Sequence, residues 1–340
     1  MKRHAACVIT TIQEPTSSVR ALQTRLAQDH INLIVVGDKK GPARFDLPET
    51  RFISLDEQLR SNFKLAKLLP TGHYVRKNLG YLTALQSRPH AIYETDDDNA
   101  PNQRWTCKNA EVQARSLQHD GWFNVYRCFT NANIWPRGLP LRHARDTIAY
   151  DLQPSRPVHS PIQQLLCDHA PDVDAAWRLT IGNEPFSFDR GATGSIHLAA
   201  GAWCPFNSQA TWWFEEAFPL MYLPSTCTFR MTDIWRSLVA QRCLWELGMG
   251  VTFHPPEIHQ DRNPHDLMQD FEDEIPGYLH NESIARILLA TPLQPGQNAI
   301  TDNLIKCYEA LVSSGIFKPA ELPLLRAWID DMSLLDGQSA

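Results

Sequence analysis

Three aspartates in a row, Asp96, Asp97 and Asp98, close an apolar strand pattern, IYETDDDN at residues 92–99, and this narrows the fold more than any other feature of the chain. Adjacent carboxylates repel, and nothing about a strand end favours three of them. A hard divalent cation such as Mg²⁺ or Mn²⁺ removes the repulsion, because it takes carboxylate oxygens together with substrate phosphates. Ala91, Ile92 and Tyr93 would bury the strand and hold the carboxylates at its C-terminal edge, where open α/β sheets bind ligands. The competing reading is a solvated acidic turn, and the rest of the chain must decide between them.

The residues before this strand alternate as a βα chain does. Residues 6–12 read as a strand and 17–28 as an amphipathic helix; residues 31–36 are a run of apolar residues broken only by Asn32, as in a buried parallel strand. A third strand is expected at 52–55. A helix then starts at Asp56 and carries Leu59, Phe63, Ala66 and Leu69 as far as Pro70. A second helix, from about Arg76, sets Leu79, Leu82 and Leu85 on one face. The alternation predicts a doubly wound, mostly parallel sheet flanked by helices. No GxGxxG follows the first strand and no GxxxxGK motif occurs, which argues against a dinucleotide or P-loop site.

Composition excludes several classes. A net charge of −6 and the lack of a basic face argue against nucleic acid as a partner. No apolar run reaches the roughly 18 residues of a membrane span, and the N-terminus MKRHAACVITTIQEP reads as a first strand rather than a signal peptide. The 8 cysteines are scattered with no CxxC pair, the pattern of reduced thiols, so the expected compartment is cytoplasmic.

A basic element, Arg76-Lys77-Asn78-Leu79-Gly80-Tyr81, precedes the acidic strand. Cations at a helix N-terminus oppose the helix dipole, and an anion seated there removes that cost. With the aspartates, this suggests a diphosphate held between Arg76 and Lys77 on one side and a metal ion on the other. Asp96 and Asp98 project to the same side of an extended segment and are the natural ligand pair, while Asp97 points the other way, towards a ribose or sugar.

An Arg/Lys-Asn-x-Gly element, a helix, a strand and Asp-x-Asp is the order found in nucleotide-sugar glycosyltransferases of the GT-A fold. RKNLGYLTALQ and IYETDDDN resemble the STELLO family of glycosyltransferases, and so do IWPRGLPL (134–141), SPIQQ (160–164), PDVDAAWRLT (171–180), MTDIWRSLVAQRCLWELG (231–248) and FHPPEIHQDRNPHD (253–266). More distantly, the chain is similar to the reversibly glycosylated polypeptides, which act as UDP-arabinopyranose mutases. The plant STELLO proteins are membrane-anchored and carry extra domains, so their Golgi context is not expected to transfer.

The resemblance implies further roles. A late histidine completes the metal site in such enzymes, which makes His259 the candidate third ligand, with His265 in reserve. Asp233 falls where inverting GT-A enzymes place the carboxylate that deprotonates the acceptor hydroxyl; Thr232 and Asp233 read equally as a cap of the helix expected at 234–247. Asp38 stands where the uridine is recognised, with Thr10 and Thr11 ending the first strand nearby, although Gly37-Asp38 also reads as a turn. Arg178 falls near the sugar of the mutase relatives, or makes a surface salt bridge. Asn207 and Gln209 have the chemistry to hydrogen-bond donor-sugar hydroxyls. Trp203, Trp212 and Trp213 are either core residues or sugar platforms.

The expectation is a GT-A domain over residues 1–275 followed by a helical extension over 276–340 with no chemistry of its own. The function implied is transfer of a sugar from a nucleotide sugar, a UDP-hexose such as UDP-glucose, to an acceptor glycan, lipid or protein, with Mn²⁺ or Mg²⁺ as cofactor. A UDP-sugar mutase, a self-glycosylating protein and a catalytically silent nucleotide-sugar-binding scaffold remain as alternatives. A homodimer contact through the helical extension is left open.

Overall fold

A computed structural model of the chain describes residues 4–146, 150–189, 194–261 and 266–337. The first strand, β1 (Ala5–Thr10), leads to a loop in which the Thr16 side chain accepts the Val19 amide at 3.1 Å and so starts α1 (Ser17–Gln28). This helix buries Val19, Leu22 and Leu26, one apolar stripe at helical spacing. β2 (Asn32–Val36) and β3 (Thr50–Ile53) follow.

The single helix expected from Asp56 to Pro70 is two. α2 (Leu55–Arg60) is capped by Ser54 and stops at Ser61, and α3 (Lys64–Leu68) begins afresh after Phe63. The break persists because a distant carboxylate caps the second piece. Asp331 accepts the amides of Lys64 and Leu65 at 2.8 and 2.9 Å.

The remaining elements are α4 (Lys77–Leu85), β4 (Ala91–Thr95), β5 (Asn99–Pro101), β6 (Glu111–Leu117), β7 (Gly121–Trp122), β8 (Arg156–His159), β9 (Ile162–Asp168), α5 (Ala175–Thr180), β10 (Ser195–Leu198), β11 (Ala202–Trp203), β12 (Ala210–Phe214), α6 (Thr232–Trp245), β13 (Val251–Gln260), α7 (Leu267–Ala290), α8 (Ile300–Ser313) and α9 (Glu321–Gly337). The main sheet runs β3-β2-β1-β4-β12-β9-β13-β10-β6-β8, with β5 paired to β13. β3, β2, β1 and β4 are parallel, as the βα alternation requires. Beyond β4 the sheet is mixed rather than mostly parallel: β12 runs antiparallel to β4 and β9, and β13 runs parallel to β9. The connection that follows β9 carries α5, and the one from β12 to β13 carries α6. A large mixed sheet covered by helices fits the GT-A-like architecture.

Residues of β1 divide between the two faces with period 2. Ala6 and Val8 join one core with Leu79, Leu238 and Trp328, while Ala5, Cys7 and Ile9 join the other with Val19, Leu22 and Trp212. Trp203, Trp212 and Trp213 are core residues, each at most 2% exposed.

Gly80 explains how α4 reaches the site. A Cβ there would stand 2.5 Å from Val8 Cγ1 and 2.7 Å from Val36 Cγ2, so only glycine lets the helix lie this close on β1 and β2. That approach carries Lys77 under the end of β4.

The C-terminal helices are integrated with the sheet. α7 is continuous through Pro276, so the boundary drawn between residues 275 and 276 cuts a helix. Trp328 of α9 is fully buried, and Glu321 accepts the Tyr222 hydroxyl at 2.5 Å and the amides of Ser225 and Thr226.

Candidate active site

The topology gathers chemistry at one sheet edge. β4 and β13 end there, β12 begins there, and α6 starts above it. The aspartates occupy the turn between β4 and β5, and β5 pairs with β13 so that Asn99 stands opposite Gln260. A cavity of about 240 Å³ opens at this edge. Thr10, Asp96, Asp97, Asp98 and Gln260 line it from the sheet, and Arg137, Asp172, Arg178, Arg230 and Asp233 line it from the loops and helices.

Each aspartate is held differently. Lys77, with a side chain 0% exposed, donates its ammonium to Asp96 Oδ1 at 3.0 Å and to the Thr95 carbonyl at 2.7 Å. Burial raises the Asp96 carboxyl to about 6; the ammonium of Lys77 pulls it back, and Asp98 and Asp233 push it up. Asp97 accepts the Thr11 hydroxyl at 2.5 Å, and its carbonyl accepts the Thr16 hydroxyl at 2.6 Å. Burial raises its carboxyl and the Thr11 hydrogen bond offsets part of that. Asp98 Oδ2 accepts the Gln260 amide at 2.9 Å.

Opposite them lies a cross-braced pair of carboxylates. The Arg137 guanidinium donates to both oxygens of Asp172 at 2.8 Å and to both oxygens of Asp233 at 3.0 Å, and also to the Arg230 carbonyl. Asp233 Oδ2 further accepts the Ser208 amide and hydroxyl at 3.1 and 3.3 Å, and Oδ1 accepts the Ile234 amide at 3.0 Å. Burial opposes the charge on Asp233, but the guanidinium of Arg137 overcomes it and holds the carboxyl at about 2. Asp233 is therefore a saturated anion in the first turn of α6. The capping reading of Thr232 and Asp233 also gives way: the residue ahead of the helix is Met231, and no side chain caps it.

The structure brings together Thr10, Asp96, Asp97, Asp98, Arg178 and Asp233, with Thr11 and Lys77 behind the aspartates. Other expected residues point elsewhere. Arg76 is 1% exposed and spends its guanidinium on Gln58 Oε1 and the carbonyls of Leu69 and Ala66, so it faces α3 and not a diphosphate. Asn78 pairs with both backbone groups of Leu223. Asp38 accepts the amides of Lys39 and His73, the turn alternative. Asn207 accepts the Gln209 amide and shapes a turn that presents Ser208 and Gln209 instead of itself.

His259 neighbours Gln260 on β13, and adjacent strand residues face opposite ways. Gln260 reaches Asp98, while the His259 ring lies 5.2 Å from that of His169. His265 lies outside the described residues. Arg178 is buried and donates to the Pro171 carbonyl at 2.8 Å.

Arg137, Asp172, Tyr74, Phe229, Arg230 and Gln260 were not singled out by the sequence. Arg137 offered a signal, a lone charge between Pro136 and Gly138 in an apolar run. Gly138, at φ +87, packs so tightly that a Cβ would meet Ile234 Cγ2 at 2.4 Å, which locks that turn onto α6.

Among the described residues, no group of three His, Cys, Asp or Glu side chains is set to hold a metal ion by itself. Two carboxylates, Asp96 and Asp98, do face one cavity, and burial raises the carboxyl of Asp96. This donor set fits a hard divalent cation that takes its remaining oxygens from substrate and water. It does not fit a three-ligand site that includes His259.

Comparisons with known proteins agree with the motifs. The family model of the STELLO glycosyltransferases matches residues 230–338, from the Arg230–Asp233 wall of the cavity to the end of α9. The probable glycosyltransferase STELLO2 of Arabidopsis thaliana is 26% identical over 353 residues, covering 97% of this chain and 45% of the relative. STELLO1 of the same plant is 25% identical over 345 residues, covering 96% of this chain and 44% of the relative. The likeness to the STELLO family is thereby borne out, and the chain spans less than half the length of these two relatives. No helix among the described residues is long and apolar enough to cross a membrane.

Proposed function

We propose that the protein is a glycosyltransferase that takes a UDP-hexose, such as UDP-glucose, and transfers the sugar to an acceptor hydroxyl in the presence of Mn²⁺ or Mg²⁺. The observation that carries the reading is the convergence of Asp96, Asp97 and Asp98 with Arg137, Arg178 and Arg230 on one cavity at the carboxyl edge of the sheet. Its support from relatives is the name of the family that the chain resembles.

In this reading Asp96 and Asp98 would hold the cation, which when bound would supply the positive charge that a departing diphosphate needs. The chain's own residues arrange the rest. Lys77 fixes Asp96 from below, and Thr11 fixes Asp97 facing the ribose or sugar. Arg178, which donates to the Pro171 carbonyl, and Arg230, whose Nε and Nη2 donate to Glu274 Oε1, line the cavity and add positive potential there for phosphate oxygens. The bond from the anomeric carbon to the diphosphate oxygen breaks with its electron pair going to the diphosphate, a bond to the acceptor oxygen forms, and the acceptor proton passes to water, directly or by way of the departing diphosphate.

Asp233 serves here as an anchor. A carboxylate held at about 2 with all its acceptor sites taken is a poor proton acceptor near neutrality, and its part is to fix Arg137 and the Ser208 turn.

The test is sugar transfer or donor hydrolysis from UDP-glucose and other UDP-hexoses with Mn²⁺. Asp96→Asn and Asp98→Asn should each abolish turnover and the thermal stabilisation by UDP plus Mn²⁺. Undiminished turnover in EDTA, or in either variant, would sink the mechanism.

A further inference from the structure

One wall of the cavity has a feature that diphosphate chemistry does not use. Phe229 is 51% exposed although Met231, two residues on in the same 3-10 turn, is buried. The Phe229 ring meets the edge of Tyr74 at a centroid distance of 4.6 Å and lies 5.4 Å from His73, and His73 stacks on Tyr74 at 5.8 Å. Tyr74 and Phe229 both line the cavity, beside Arg230 and Asp233. The inner end of this aromatic wall faces the carboxylate: burial and the charge of Asp233 push the Tyr74 hydroxyl well up.

A phenyl ring left half in water forgoes stabilisation that burial would give it. Here the exposed ring borders a polar cavity and is braced by two other rings, so its orientation is fixed before anything binds. An apolar face next to guanidinium and carboxylate groups matches a molecule with C–H bonds on one face and hydroxyls around its edge. A lipid chain would call for a longer apolar surface than these rings supply, since Arg230 and His73 flank them. The diphosphate end of a donor belongs at the opposite side, with the aspartates on the sheet edge.

We propose that Tyr74 and Phe229 are the platform of an acceptor subsite, and that the acceptor is a carbohydrate whose pyranose ring lies on Phe229 with its hydroxyls towards the polar side of the cavity, where Glu274 holds the Arg230 guanidinium in place at 2.9 and 2.7 Å. This rests on the glycosyltransferase reading. It adds the chemical class of the acceptor and the residues that receive it.

The experiment is saturation-transfer NMR on the whole chain with UDP plus Mn²⁺ and, separately, with cellobiose, maltose and lactose. Wild type, Phe229→Ala and Phe229→Trp are compared. At least one disaccharide should bind wild type and lose about tenfold in affinity in Phe229→Ala, about 1.4 kcal/mol. Phe229→Trp should retain that binding, because indole offers a similar face, and UDP should bind all three proteins alike. A matching loss of UDP affinity in Phe229→Ala would assign the ring to the nucleobase and overturn the proposal. So would disaccharide binding that ignores the substitution, or a wild type that binds UDP and no disaccharide. A protein that binds a disaccharide through Phe229 but does not bind UDP would keep the subsite and remove the donor reading instead.

Discussion

Lys77 reaches Asp96 from beneath the cavity floor: its ammonium, wholly enclosed by protein, lies 3.0 Å from Oδ1 of a carboxylate that is 37% exposed on its other side. The lysine therefore occupies the inner face of a group whose outer face is free for a cation. Both positive charges draw on one carboxylate, and they repel each other. Lys77→Met should tighten the binding of Mn²⁺ alone by about tenfold, since even a fraction of the Coulomb energy between charges several ångströms apart exceeds 1 kcal/mol. Mn²⁺ titration followed by electron paramagnetic resonance measures this. Unchanged or weaker binding would show that Lys77 serves to orient and ionise Asp96 more than it competes with the ion.

The second arrangement under tension is Arg137 between Asp172 and Asp233. Arg137→Ala would leave the buried Asp233 and the partly buried Asp172 facing one another without their shared guanidinium, an uncompensated loss of about 3–5 kcal/mol. Arg137→Lys keeps the charge but not the planar fork that serves both carboxylates, and it should recover only part of the loss. Urea unfolding of the three proteins decides this, and equal stability of Arg137→Ala and wild type would rule the bracing out.

These sites show what the sequence made legible. Asp96, Asp97 and Asp98 are neighbours in the chain, and the strand before them fixes the sheet edge at which they emerge. Their position follows from local pattern plus βα topology. Lys77 was legible for a similar reason, although its role is to support Asp96. Arg76, one residue earlier, departs from the local pattern because the chain there is still a 3-10 turn that aims the side chain at α3. His259 stands one residue away from Gln260, and with a period of two a single step changes the face. The Arg137, Asp172 and Asp233 cluster draws on three loops or helix starts far apart in sequence. No local pattern encodes such a meeting, and only the assembled sheet edge produces it. The C-terminal helices read as a tail because their prolines punctuate them, yet Pro323 falls in the first turn of α9, where a missing N–H costs nothing.

The integration of those helices gives a third prediction. A chain ended at residue 275 would lose Trp328, whose burial alone corresponds to about 3–5 kcal/mol. It would also leave the Tyr222 hydroxyl, the amides of Ser225 and Thr226 and the start of α3 without the carboxylates of Glu321 and Asp331. Against a total stability of about 5–15 kcal/mol, the truncated chain should not fold. Circular dichroism and size-exclusion chromatography would show it unfolded or aggregated. A monomeric fragment with a cooperative melt would restore the reading of residues 276–340 as an appendage.

Asp174 sets a pH dependence that can be isolated. It caps α5 by accepting the Trp177 amide at 2.7 Å, and it also accepts the Trp135 indole N–H at 2.6 Å. Burial raises its carboxyl to about 7; those two donors oppose the rise, while Glu274 and Asp172 add to it. A carboxyl titrating higher in the folded than in the unfolded chain makes the folded state the better proton binder in between. The stability it contributes is thus complete below the ordinary carboxylate range and is lost as pH rises through about 7. Asparagine caps a helix as well as aspartate and carries no charge to bury. Asp174→Asn should therefore gain stability relative to wild type as pH climbs from about 4 to 7, with the difference levelling off above that. Urea midpoints of the two proteins across this range provide the measurement. Parallel curves would mean that Asp174 titrates in the folded protein as it does in the unfolded chain, and that the carboxylate is stabilised by its two donors as fully as it would be by water.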